Sequence, residues 1–197
     1  MPHQDKTNFP YTLAFKLPPD CQSLIAAFHR KLSRVCEGFA APEIAHVSLK
    51  YLGYSGPTMT EEAVISMIPR IREIAAPFLP IRIFIRGLAL FGSASEANQV
   101  VFLKVMPNEQ LFALHEAITN GLGGAIDSFP HTDGQNYRPH VTLSMQIRPN
   151  LQRGLERIVN RSRQAAKRQY KLRNLVLLTP QQELPVFPEF QQYAVEK

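Results

Sequence analysis

The sequence predicts an α+β protein of two lobes related by a pseudo-twofold axis. Each lobe is expected to be an antiparallel-dominated sheet with helices on its outer face, and a cleft is expected between the lobes. Three observations carry this expectation. The order strand, helix, motif strand, helix, strand is read twice along the chain, and helices alternating with strands bury their apolar stripes by packing on sheets. A short amphipathic strand bearing a histidine and a hydroxyl on one face occurs once in each half. With 45% hydrophobic and 19% charged residues in 197, the composition is that of a packed protein and argues against disorder.

The elements follow from periodicity and from Pro, Gly and capping signals. Residues 8–18 read as a strand ended by Pro18. Residues 19–38 carry helical spacing at Leu24, Ile25, Phe28, Leu32 and Val35, with Asp20 as N-cap and Gly38 as stop. The first motif strand covers 44–52. Thr60 caps a helix running to about Ala76, which Pro69 should kink or divide. Residues 80–91 form a long strand that Gly87 bends, and 92–98 mark the boundary between lobes of roughly 8–95 and 96–197, with strand exchange between them left open. The second half repeats the order: a strand over 99–106, a helix over 108–121 and a Gly-, Asp- and Pro-rich loop over 123–136. The second motif strand, a basic helix over 150–168 and strands over 172–179 and 186–195 complete it.

Alternation on the motif strands assigns their faces, because side chains of a strand point to opposite sides with period two. His46, Ser48 and Lys50 share one face, against Val47, Leu49 and Tyr51. Arg138, His140, Thr142 and Ser144 share another, against Val141, Leu143 and Met145. Both histidines are placed on central strands, facing each other across the cleft. A hydroxyl two residues beyond each histidine lies about 7 Å along the same face.

At these residues the chain resembles the 2H phosphoesterase superfamily, and within it the 2′-5′ RNA ligase-like, or RNA 2′,3′-cyclic phosphodiesterase, branch. That family is named for two His-x-Thr/Ser-x motifs, one per lobe, matched here by His46-Val47-Ser48-Leu49 and His140-Val141-Thr142-Leu143. The trailing Lys50-Tyr51-Leu52-Gly53 and the leading Tyr137-Arg138-Pro139 match as well, and Ile85 to Phe91 resembles the crossover between lobes. Two positions depart from the pattern. Ser48 replaces the commoner threonine, and Ser144-Met145 stand where a basic residue often follows the second motif.

The resemblance implies a metal-independent enzyme without cofactor that hydrolyses RNA or nucleotide 2′,3′-cyclic phosphates to 2′-phosphates. His46 and His140 would be the catalytic acid and base, Ser48 and Thr142 would hold the phosphate, and Lys50 and Arg138 would be added contacts. Histidine suits both roles, because both its protonation states are accessible near neutrality. Alternatives are a phosphodiesterase or ligase acting on 2′-5′-linked or cyclic oligonucleotides, and a non-catalytic nucleotide- or RNA-binding module. Zinc usually takes three or four protein ligands, and no third ligand accompanies the two motifs: His131 lies in the preceding loop, and His3, His29 and His115 lie elsewhere. Neither a Gly-x-Ser-x-Gly elbow nor a Walker-type loop is present.

A formal net charge of +6 favours polyanionic ligands, nucleic acid first among them. Arg153, Arg157 and Arg161 share a helical face, either a solvated outer surface or a phosphate-tracking patch. No apolar run approaches the ~20 residues needed to span a membrane, and the N-terminus lacks a signal-peptide pattern. Cys21 and Cys36, roughly 22 Å apart if on one helix, cannot pair there. A cytoplasmic monomer with reduced thiols and no membrane partner is expected.

Overall fold

The structure, a computed structural model, describes residues 10–57, 59–92, 99–148, 150–163 and 167–188. The first half supplies β1 (Pro10–Lys16), α1 (Pro19–Leu32), β2 (Cys36–Glu37), β3 (His46–Tyr54), α2 (Glu61–Ser66), α3 (Ile68–Ala75) and β4 (Ile81–Phe91). The second supplies β5 (Val100–Val105), α4 (Glu109–Leu122), β6 (His140–Ser144), β7 (Gln146–Ile147), α5 (Gln152–Ser162), β8 (Arg168–Leu172), β9 (Leu175–Leu178) and β10 (Glu183–Pro185).

Two four-stranded sheets result, ordered β10-β9-β1-β3 and β6-β5-β4-β8, with every pairing antiparallel. Each begins with a motif strand at its edge, then the strand that opens the same half, then a strand from the other half. Sheet membership therefore crosses residue 95 in both directions: β4 lies in the second sheet, while β9 and β10 return to the first. The motif strands are edge strands rather than the central ones the sequence suggested, and their edges lie against each other. That meeting of edges brings the two histidines together.

Helices α1 and α4 occupy equivalent places between the opening strand and the motif strand. Each buries one stripe, Cys21, Ile25, Phe28 and Leu32 on α1 and Leu111, Leu114, Ile118 and Leu122 on α4. These stripes join the inner faces of both sheets in one continuous apolar cluster. Thr60 caps α2 by accepting from the Ala63 amide, and Pro69 divides the segment, opening α3. At Gly87 (φ +63°) the register of β4 slips between Ile85 and Leu88, and a Cβ there would collide with the Ser162 carbonyl.

Several expected boundaries move, each because pairing or a turn intervenes. Helix α1 starts at Pro19 on an N-cap Pro18, so Asp20 lies in the first turn, where its carboxylate accepts from the Cys21 amide. It ends at Leu32, not near Gly38, because Cys36 and Glu37 pair with β7. The cysteines are therefore on different elements, both free and buried. The basic helix stops at Ser162, and Arg168 already belongs to β8, paired with β4. The strand expected over 172–179 is split: a tight turn at Arg173–Leu175 lets the chain leave the second sheet for the first. The last strand of the described residues is Glu183–Pro185; of the segment 186–195, residues 186–188 are not strand and the rest lies outside the described residues. Among the described residues, no helix is long and apolar enough to cross a membrane.

Candidate active site

The two motifs share a backbone irregularity. Opposite β1, Ser48 faces Ala14 and Lys50 faces Leu13, so Leu49 is an extra residue. Opposite β5, Thr142 faces Phe102 and Ser144 faces Val101, so Leu143 is the extra residue. Each bulge reverses the alternation beyond it. His46, Ser48, His140 and Thr142 keep the open face, as expected, but the next residues change sides. Lys50 and Ser144 turn inward and are buried, while Tyr51 and Met145, expected in the core, turn out to line the cleft. The Ser144 hydroxyl, removed from the open face, donates to the Glu37 carbonyl (2.7 Å) and so holds β2 beside β7.

Both imidazoles are oriented alike. His46 Nδ1 lies 3.1 Å from the Ile44 carbonyl, and His140 Nδ1 lies 2.7 Å from that of Arg138. A carbonyl only accepts, so Nδ1 carries the proton in each ring and Nε2 is left to exchange one. Burial pushes both histidines below the ordinary value of 6.5; the carbonyl bonds oppose that shift. The nearness of His46 further disfavours charge on His140. Around His140, Phe91 and Phe102 stack on each other and present to the ring at centroid distances of 4.8 and 5.2 Å, which fixes its plane.

A cleft of about 450 Å³ runs from His140, Thr142 and Ser48 toward Arg138 and the loop 131–137. His46 is not among its lining residues; it stands at the start of β3, near enough for His140 to feel its charge. Arg138 is exposed and lines the cleft, so its side chain is available to a ligand while its carbonyl holds His140. Lys50 is not free in that way. Its side chain is wholly buried, with Nζ 2.8 and 2.7 Å from the two Asp133 oxygens. It serves the cleft wall, not the open face.

Asp133 was hidden in a loop that sequence reading treated as a connection. It also accepts from the Phe129 amide (2.8 Å), and so clamps the segment before the second motif onto the first motif strand. Tyr137 adds to the clamp by donating to the Ser48 carbonyl (3.1 Å), and stacks on buried His115, whose Nδ1 bonds the Leu49 carbonyl (2.7 Å). Nothing in local periodicity marks Asp133, His115 or Tyr137, since their partners lie far away in sequence. Arg153, Arg157 and Arg161, read as either a solvated outer face or a phosphate-tracking patch, are exposed on α5 and do not line the cleft. Among the described residues, no group of three or more His, Cys, Asp or Glu side chains could hold a metal ion.

Comparison with known proteins agrees with this architecture. The chain resembles the solved TT0787 of Thermus thermophilus at a TM-score of 0.62 and 18% identity, covering 90% of this chain and 98% of that one. It resembles Escherichia coli LigT in apo form at 0.54 and 13%, covering 91% and 95%. The Kluyveromyces marxianus Usb1 structure with uridine monophosphate matches at 0.55 and 12%, covering 92% and 99%. At such identities these likenesses speak for the fold. A candidate phosphoesterase of Geobacillus kaustophilus is 30% identical over 102 residues, 52% of this chain, and the match spans 51%, about half, of that relative's length. The model of the 2′-5′ RNA ligase superfamily matches residues 17–183, which includes both histidine motifs. On that match, which covers most of the chain, the chain belongs to the 2′-5′ RNA ligase superfamily.

Proposed function

We propose that the protein hydrolyses 2′,3′-cyclic phosphates at RNA or nucleotide termini to 2′-phosphates, with His46 and His140 as a general acid/base pair. The observation that carries this reading is the matched pair of imidazoles on meeting edge strands, each with Nδ1 tied back and Nε2 left to exchange a proton. In-line displacement at phosphorus needs a base on the side of the nucleophile and an acid on the side of the leaving oxygen. His140 takes a proton from water as its oxygen bonds to phosphorus. The bond from phosphorus to O3′ breaks, and His46 gives O3′ its proton, which leaves the phosphate on O2′. Ser48 and Thr142 donate to the non-bridging oxygens, and Arg138 balances their charge. No step is assigned to a metal. The nucleotides in the solved LigT with 3′-AMP and Usb1 with uridine monophosphate support a nucleotide in this cleft.

Incubation with 2′,3′-cyclic nucleotides in EDTA, beside a panel of 2′-5′-linked and cyclic oligonucleotides, tests the reading. Turnover of the cyclic nucleotide to a 2′-phosphate is expected. Tight binding without turnover points to a binding module, and preference for the linked substrates points to the other phosphodiesterase or ligase activity.

The depressed histidines set a pH dependence. Burial holds both histidines below 6.5 in the free protein, so the neutral form of each is favoured at pH 7. The acid must be charged to act, and a bound anionic phosphate favours its charged form. The bell for kcat/KM, which reports the free enzyme, should therefore peak below about pH 6.5, the ordinary histidine value. The alkaline limb for kcat, which reports the complex, should lie at higher pH. A coincident pair of profiles peaking above pH 7 contradicts this assignment.

A further inference from the structure

The two sheets present unlike faces to the cleft. On the first sheet, Lys16 pairs opposite His46, and its charge is met by Glu183 at 2.9 Å. Beyond Lys16 on the same face, Thr12, Ala14 and Val176 are buried. On the second sheet, Lys104 pairs opposite His140 in the equivalent place, but it is exposed. Beyond it the face stays open: β4 alternates buried Ile81, Ile83 and Ile85 with exposed Arg82, Phe84 and Arg86. On β8, Lys171 lies opposite Arg82 and is also exposed. Arg86, Lys104 and Arg163, at the end of α5, border one hollow of about 390 Å³. Among the described residues, none of Arg82, Arg86, Lys104, Arg163 and Lys171 forms an ion pair.

We infer that this open face of the second sheet is a track for single-stranded RNA, carrying the chain on the 5′ side of the terminal nucleotide whose cyclic phosphate sits at the histidines. The inference rests on the proposed function for the terminal nucleotide and adds the rest of the substrate. Geometry gives the path. Neighbouring strands are about 4.8 Å apart, so Lys104 and Arg86 step away from His140 in ~5 Å increments, and Arg82 lies ~14 Å further along β4. Phe84, 41% exposed between Arg86 and Arg82, supplies a ring on which a base can stack. Cations interleaved with an exposed aromatic are the make-up of a single-strand platform, which holds phosphates by charge and bases by stacking without reading sequence. The first sheet, covered and with its lysine neutralised, cannot offer a second path, so the track has one direction.

The test compares a 2′,3′-cyclic mononucleotide with an RNA decamer ending in the same cyclic phosphate. The decamer is expected to show a KM at least tenfold lower at low salt. That advantage should fall with salt by about 0.7 log units per log unit for each phosphate contact. Arg82→Ser with Lys171→Ser should flatten the slope by about two contacts and leave mononucleotide turnover unchanged. Phe84→Leu should weaken the decamer about tenfold without altering the slope, because stacking is not a charge effect. Arg153→Gln with Arg157→Gln, on the outer helix, should change neither. A decamer with no advantage, an unchanged slope in the Arg82 and Lys171 variant, or competition by the polyanion polyglutamate as strong as by RNA overturns the track. If neither substrate turns over, the proposed function fails alone, and the salt dependence of decamer binding, read by fluorescence anisotropy in the same variants, still decides the track.

Discussion

His46→Ala and His140→Ala should each lower turnover of a 2′,3′-cyclic nucleotide by at least ~10²-fold, with the fold intact. General acid or base catalysis is typically worth ~10²–10⁴-fold, and the proposed mechanism gives each imidazole one of the two proton transfers. Neither substitution should unfold the protein. Both rings are only half-buried, and among the described residues each ring makes a single hydrogen bond, to a carbonyl two residues earlier. Ser48→Ala and Thr142→Ala should cost less, because each removes a hydrogen bond to the phosphate but no proton transfer. Circular dichroism and the denaturant midpoint, read beside kcat, separate a lost proton transfer from a lost fold. Larger losses for the two hydroxyl variants than for the histidines would reverse this ranking.

Asp133→Ala should have the largest effect on stability of any single change at the cleft. It leaves the Lys50 ammonium without its partner on a side chain that has no exposed surface. Removing one member of a buried pair typically costs about 3–5 kcal/mol, because the remaining charge is neither paired nor solvated. Lys50→Met with Asp133→Leu should recover much of that loss, since it removes both charges together and replaces them by apolar side chains. Urea unfolding of the wild type, the single variant and the double variant checks this, with midpoints compared at constant m-value. A double variant as unstable as Asp133→Ala would show that the loss comes from the loop's own bonds, including that to the Phe129 amide, and not from the stranded lysine.

Much of this fold is legible in the chain, for physical reasons that differ by element. Pro18, Thr60, Pro69 and Gly87 act through local backbone chemistry, so they mark ends, a cap, a division and a bend close to where the structure has them. The motif strands are legible through alternation, up to the point where each bulges. Past Leu49 and Leu143 the parity rule assigns Lys50, Tyr51, Ser144 and Met145 to the wrong faces, because an extra residue flips every position after it. The apolar spacing Val47, Leu49, Leu52 widens from two to three across that region, a signal that alternation alone does not use. Strand order is legible least. That β4 crosses into the second sheet and β9 into the first is decided by which edges meet, and no local pattern encodes it. The clamp of Lys50, Asp133 and Tyr137 was missed for the same reason.

The central claim is that the two histidines act as a unit on one phosphate. It is tested most directly by assaying His46→Ala, His140→Ala and the double variant on the same 2′,3′-cyclic nucleotide in EDTA. Residues that act as a unit are grossly non-additive. Each single variant should therefore lose at least ~10²-fold in turnover, and the double variant should be little slower than the slower single. Near-normal turnover in either single variant contradicts the two-histidine mechanism.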